Sequence, residues 1–343
     1  MNLALIYEEI EKRVSKVDFT ALWKGFYPLK FALYTDKECF FDGRYIEKTD
    51  IFCANTSIKF NGEEIAIWNI NEEPWDMDIL SASIIHEMFH AFQEISGECR
   101  YADEKEAPFK YCYSIGNLSA KHKEASYIRD ILERNDHSAY SKLLALRKMR
   151  SDRYPYEYEY EARIEQIEGT AKFVEVNALT QLNQEKGKLA WQRILDRICN
   201  PENYFPTRII SYEIGAAVIA CIKKCSDMDC ELFTRQPFSC EMISNVNGDD
   251  AAVTNNAEME ESLNRYWAET HRIIDTAVRK NKCVLKGKYP LISVNIWDAR
   301  CEGNYVTSNH FLMYDDGEKC KTIYGNFVIE VDADYNVLTV LTQ

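Results

Sequence analysis

Residues 81–97 read SASIIHEMFHAFQEISG, and no other segment constrains the fold of this chain so tightly. Ile85, Met88, Phe92 and Ile95 recur at helical spacing and predict one apolar stripe. His86, His90 and Gln93 fall on a neighbouring, more polar stripe. Asp76 or Asp78 is placed to cap the helix start, and Gly97 to end it. Positions i and i+4 share a helix face, so His86 and His90 are able to grip one metal ion. Glu87 then stands beside the metal's water and is able to take its proton. Zinc with three protein ligands lowers the pKa of that water to about 7. The pattern predicts Zn2+ as cofactor and Glu87 as general base.

A third ligand is needed. His122, His137, His271 and His310 each sit alone in polar surroundings, and Gln93, Glu94 and Ser96 follow the motif without another histidine. A carboxylate is the better candidate. The stretch around 154–179 (YEYEYEARIEQIEGTAKFVEVNAL) sets Glu161, Glu165, Glu168 and Glu175 on one helical side. Ile164, Ile167, Ala171, Val174 and Ala178 fall on another. Most of these glutamates read as a solvated acidic face. Glu168 differs because Gly169 follows it. A glycine inside a helix costs about 1 kcal/mol relative to alanine. It marks a close approach of another element, here expected to be the His86–His90 helix. Glu168 is the expected third ligand, with Glu165 next.

An HExxH followed by a helix reading EGTAKFVE resembles the gluzincin metallopeptidases, and among them bacterial zincins with an E-G-x-A-x-Y signature. The resemblance covers roughly 55–225. It implies zinc held by His86, His90 and Glu168, catalysis by Glu87, and hydrolysis of a peptide or protein substrate. Between His90 and Glu168 lie 168 − 90 − 1 = 77 residues, so a helical insertion of about 98–154 is expected to leave the domain and return. Such families take an oxyanion donor from a later helix. Tyr212 in FPTRIISYEIGAAVIACI is the candidate, because Gly215, Ala216 and Ile219 share its face and permit close packing. Arg208 and Tyr160 are weaker rivals. Ile65–Ile70 precedes the motif and is expected to border the cleft, where an extended peptide adds by backbone hydrogen bonds. Trp68 and Trp75 either line that cleft or fill core.

The rest of the chain frames this site. Leu3, Ile6, Ile10 and Val14 predict an opening helix, and Asn61-Gly62 between Thr56–Phe60 and Ile65–Ile70 predicts a hairpin. Pro74 closes that strand-rich region. Helices are expected near 117–150, 157–182, 186–199, 207–224 and 257–282, with a polar loop over 245–261. Short β-like runs follow from Val284. The fold class expected is α+β. A mainly helical zincin-like domain spans 1–284, with a small β-sheet before the HExxH helix, and a small antiparallel β unit spans 285–343.

The 343 residues carry a formal charge of −14, which argues against a nucleic-acid partner. No apolar run reaches 18 residues and Met1–Glu11 lacks the pattern of a secretory leader, so no membrane partner is expected. Twelve cysteines without a CxxC pair read as reduced, mostly buried thiols in a cytoplasmic protein. Two functional readings follow, beside the plain one of a metal-free helical protein in which the HExxH is accidental. One is a zinc-dependent hydrolase acting on peptide bonds. The other is a zincin-like binding or regulatory protein that holds zinc and turns nothing over.

Overall fold

The computed structural model describes residues 2–71, 76–231, 235–246 and 253–343. Its helices, in chain order, are α1 (Leu3–Val14), α2 (Phe19–Leu22), α3 (Met77–Ile95), α4 (Ala107–Lys110), α5 (Ile115–Arg134), α6 (Ser138–Arg153), α7 (Pro155–Ile164), α8 (Thr170–Leu182), α9 (Gln184–Ile198), α10 (Thr207–Cys225), α11 (Phe238–Glu241) and α12 (Ala257–Lys280). The strands β1 (Phe31–Tyr34), β2 (Cys39–Phe41), β3 (Arg44–Ile46), β4 (Thr56–Phe60) and β5 (Glu63–Asn69) precede α3, and β6 to β12 follow α12. The class is α+β, as expected. Among the described residues no helix is long and apolar enough to cross a membrane.

The chain forms two compact units. The first comprises residues 1–101, 162–197 and 212–242; the second comprises 102–161, 198–211 and 243–343. The chain thus leaves the first unit after Tyr101 and re-enters it at Ala162. The division does not fall at 284. The C-terminal strands group with the insertion, a long-range pairing that local periodicity does not report.

In the first unit the sheet order is β3-β2-β1-β5-β4. Only β1 and β5 run parallel. The hairpin at Asn61-Gly62 forms as expected: Phe60 pairs with Glu63, and both turn residues take positive φ (51° and 87°). Strand side chains alternate between faces. Ala32, Tyr34, Cys39, Phe41, Ile65 and Ile67 build a core on one face. On β1 and β2, Phe31 and Phe40 pack against Tyr7 of α1, with Tyr7 and Phe31 stacked at 4.2 Å. Helix α3 packs against β5 and α8. Its N-cap is Asp76, whose side chain accepts from the backbone of Asp78 and Ile79. Asp78 instead pairs with Lys186 at 2.6 Å and Arg13 at 3.0 Å. Ile85, Met88 and Phe92 are buried, but Ile95 in the last turn is exposed, so the apolar stripe ends one turn early. Pro74 and Trp75 lie outside the described residues, and Trp68 is half-buried.

The second unit carries a seven-stranded antiparallel sheet made of β6 (Cys283–Val294), β7 (Cys301–Glu302), β8 (Tyr305–Ser308), β9 (Phe311–Asp315), β10 (Cys320–Tyr324), β11 (Phe327–Val331) and β12 (Asn336–Thr342). Its order is β10-β9-β6-β12-β11-β8-β7. The first half of β6 pairs with β12 and its last residues with β9. Leu291, Val306, Leu312, Ile329, Val337 and Val340 form its core. The middle of the expected 245–261 loop lies outside the described residues, and α12 begins within that stretch, at Ala257.

Helices α5, α6 and α7 enclose a set of charges in this unit. Lys121, Glu124, Arg147, Arg150 and Glu161 are all at most 1% exposed. Arg150 reaches Glu161 at 2.6 Å and Glu124 at 2.9 Å, Lys121 reaches Glu161 at 3.3 Å, and Tyr111 donates to Glu161. This overturns the solvated reading of Glu161. Burial alone raises a carboxyl's pKa; here Arg150 and Lys121 outweigh it and bring Glu161 down to about 2.

The expectation of mostly buried thiols also fails. Cys39, Cys221 and Cys230 are buried, whereas Cys53, Cys99, Cys112, Cys283 and Cys320 are exposed.

Candidate metal centre

Two helices meet at the site. Helix α3 supplies His86, Glu87 and His90. The second helix runs from α7 into α8 through a π turn at Glu165–Gly169, which carries Glu168. The Nε2 atoms of His86 and His90 lie 3.0 Å apart. Oε2 of Glu168 lies 3.3 Å from His90 Nε2 and 3.8 Å from His86 Nε2. A tetrahedral ion with bonds of about 2.0–2.1 Å sets its ligand atoms roughly 3.4 Å apart, so this triangle has the edge lengths such an ion needs. Among the described residues, His86, His90 and Glu168 are the group able to hold a metal.

The other ring nitrogens are already engaged. His86 Nδ1 donates to Glu175 Oε2 at 3.1 Å, and Lys172 holds the opposite oxygen of Glu175 at 2.7 Å. His90 Nδ1 lies 2.8 Å from Gln93 Oε1. The amide of Gln93 is oriented by its own donors, which reach the Ile167 carbonyl at 3.0 Å and Thr170 Oγ1 at 2.9 Å. An oxygen acceptor at each Nδ1 places the proton there and leaves the Nε2 lone pairs facing each other. Two such lone pairs at 3.0 Å repel unless an electrophile lies between them. The donor set therefore fits a metal.

Without an ion, a proton on His86 takes that place between the two Nε2 atoms. Burial opposes charge on His86, but Glu168 and Glu175 outweigh it and push its pKa up to about 10. Burial raises Glu175 as well, and Lys172 and His86 reverse this, bringing it to about 2. A metal taking Nε2 must displace the proton from His86, so metal affinity rises with pH. Glu87 is 9% exposed, and burial raises its pKa against the pull of His86 and His90. That makes it a stronger base than a surface glutamate.

Glu165 lies elsewhere. It is fully buried and accepts a hydrogen bond from Ser239, one turn from Glu168. Like Glu161, it is not on a solvated face. Glu175 stands behind a ligand instead of serving as one. The sequence placed Gln93 beside the histidines without a role, and its spacing three residues after His90 was the available signal.

Gly169 does mark a close approach, but to a different neighbour. A Cβ added there would lie 2.7 Å from Gly215 Cα on α10, not against α3. Gly169→Ala is expected to cost about 1–3 kcal/mol, because backbone has to move. Urea denaturation measures the loss. Tyr212 sits on α10 three residues before Gly215 and is half-buried. Arg208 and Tyr160 belong to the second unit, where both bind Glu104, at 2.9 and 3.1 Å. Strand β5 has no free edge, since β1 and β4 flank it; β4 forms that edge of the sheet.

Glu175→Gln leaves His86 Nδ1 an acceptor without charge. Metal affinity is expected to fall by about 10–100-fold, as measured by competition with a chromophoric chelator.

Comparison with protein-family models, with curated proteins and with solved structures returns no match.

Proposed function

We propose that the chain is a zinc-dependent hydrolase acting on peptide bonds. The observation that carries this reading is the convergence of His86 Nε2, His90 Nε2 and Glu168 Oε2 within 3.8 Å of one another, with both histidines oriented from behind. When bound, zinc would supply an acidified water and polarise the substrate carbonyl. His86, His90 and Glu168 would hold the ion. Glu175 and Gln93 keep each ring turned toward it. Glu87 takes the proton from the water and passes it to the leaving amine. Tyr212 is the proposed donor to the oxygen that gains charge. Its support is its place on α10, the helix whose Gly215 touches Gly169 beside Glu168. Strand β4 is the proposed docking edge, since it pairs only with β5 and offers backbone groups to an extended peptide.

The test is metal content after dialysis against metal-free buffer. About one zinc per chain is expected in the wild type and none in Glu168→Ala. A wild-type chain that takes up no zinc when zinc is added back overturns the reading. A chain that holds zinc yet cleaves nothing in a broad peptide library supports the silent binding protein instead.

A further inference from the structure

The second unit contains a cavity of about 570 Å³ lined by α5, α6 and residues 253–256. Ligand sites commonly measure about 300–1,000 Å³. Its walls have two characters. Tyr127, Ala145, Leu146 and Val253 supply an apolar side, and Tyr127 and Val253 pack on the small core of Ala120, Leu146 and Met149. Lys123 and Lys142 supply charge.

The chain has 55 acidic residues against 41 basic ones, yet no carboxylate lines this cavity among the described residues. Among the described residues neither lysine makes an ion pair; Lys123 lies 4.9 Å over the Tyr127 ring, and Lys142 lies within electrostatic reach of Asp136. The neighbouring polar groups add donors. Ser119 is 2% exposed, and its Oγ accepts from the Asn256 backbone at 2.9 Å. Its hydroxyl proton finds no acceptor among the described residues. His122 is committed: Nε2 donates to the Cys199 carbonyl at 2.9 Å and Nδ1 accepts from the Asn256 amide at 3.1 Å. The cavity thus presents two ammonium groups and a buried hydroxyl beside an apolar wall.

We propose that this cavity binds a small organic anion with an apolar body. Its acidic head would sit between Lys123, Lys142 and the Ser119 hydroxyl, and its body against Tyr127, Leu146 and Val253. A neutral ligand would draw no attraction from the lysines, and inorganic phosphate would leave the apolar wall wet. The site is independent of the metal centre and of the activity proposed for it.

The experiment uses the full-length chain and two dyes with the same aryl frame. One is 8-anilinonaphthalene-1-sulfonate; the other is uncharged N-phenyl-1-naphthylamine. The sulfonate is expected to bind saturably at about one site per chain, with affinity that falls as salt rises. Lys123→Glu combined with Lys142→Glu is expected to weaken it by about ten-fold or more, and to leave the uncharged dye unaffected. Both lysines are exposed, so the variant is expected to melt as the wild type does. Ser119→Ala, which removes the hydroxyl while keeping both charges, is expected to weaken the sulfonate by a few-fold. Absence of saturable binding, or equal affinity in the charge-reversed variant, overturns the proposal.

Discussion

Glu87→Gln is expected to retain about one zinc per chain and to lose turnover by about 10²–10⁴-fold, the range for removal of a general base. That is about 3–5 kcal/mol of barrier. The amide keeps the size and most of the packing of a side chain that is 9% exposed, so the helix has no reason to rearrange. It cannot take a proton. Glu87 also offers no ligand atom to the cluster of His86, His90 and Glu168, which is why metal content should hold while hydrolysis falls. The two quantities are read together, by elemental analysis and by cleavage of a peptide library. Undiminished hydrolysis in this variant would sink the assigned role, whatever the metal content.

The second large effect is on stability. Lys121, Arg147 and Arg150 carry three positive charges against two negative ones on Glu124 and Glu161, all out of water. Glu161→Gln removes the carboxylate that Arg150 and Lys121 share, both of them buried. Removing one partner from a buried ion pair costs about 3–5 kcal/mol, because the remaining charge is uncompensated. Urea denaturation measures this. The acid limb provides a second check. Glu161 titrates near 2 in the folded chain and at about 4.3 when unfolded. Its stabilisation is therefore complete above about pH 4.5 and is lost as the pH falls toward 2. The variant should show a shallower loss across that window. An equally steep acid limb would mean that other carboxylates carry it.

Some of this was legible from residue order, and the division follows physical range. The α3 helix, its Asp76 cap and the Asn61-Gly62 hairpin rest on interactions within a few residues, which spacing reports directly, whereas the C-terminal strands show their alternation in the sequence but not their order in the sheet. Glu168 was chosen for a sound reason attached to the wrong neighbour, since its glycine faces Gly215 instead of α3. Glu161 and Glu165 read as solvated because their partners are distant. Lys121 and Arg150 come from other helices, and Ser239 lies 74 residues away from Glu165. Glu175 shares a helical face with Glu168 two turns earlier, but only the fold shows that His86 stands opposite. The π turn at Glu165–Gly169 has no sequence signature, although it alters which residues face the site. For the same reason of range, residue order does not report that the C-terminal strands group with residues 102–161.

The meeting of Gly169 and Gly215 limits how this site is able to vary. Each would bring a Cβ within 2.8 Å of the other's Cα, and both are already the smallest residue available. A bulkier residue at one position cannot be offset by a smaller one at the other, so the two positions are locked together with no neutral exchange between them. Any chain that carries a side chain at either position has to set these two helices further apart.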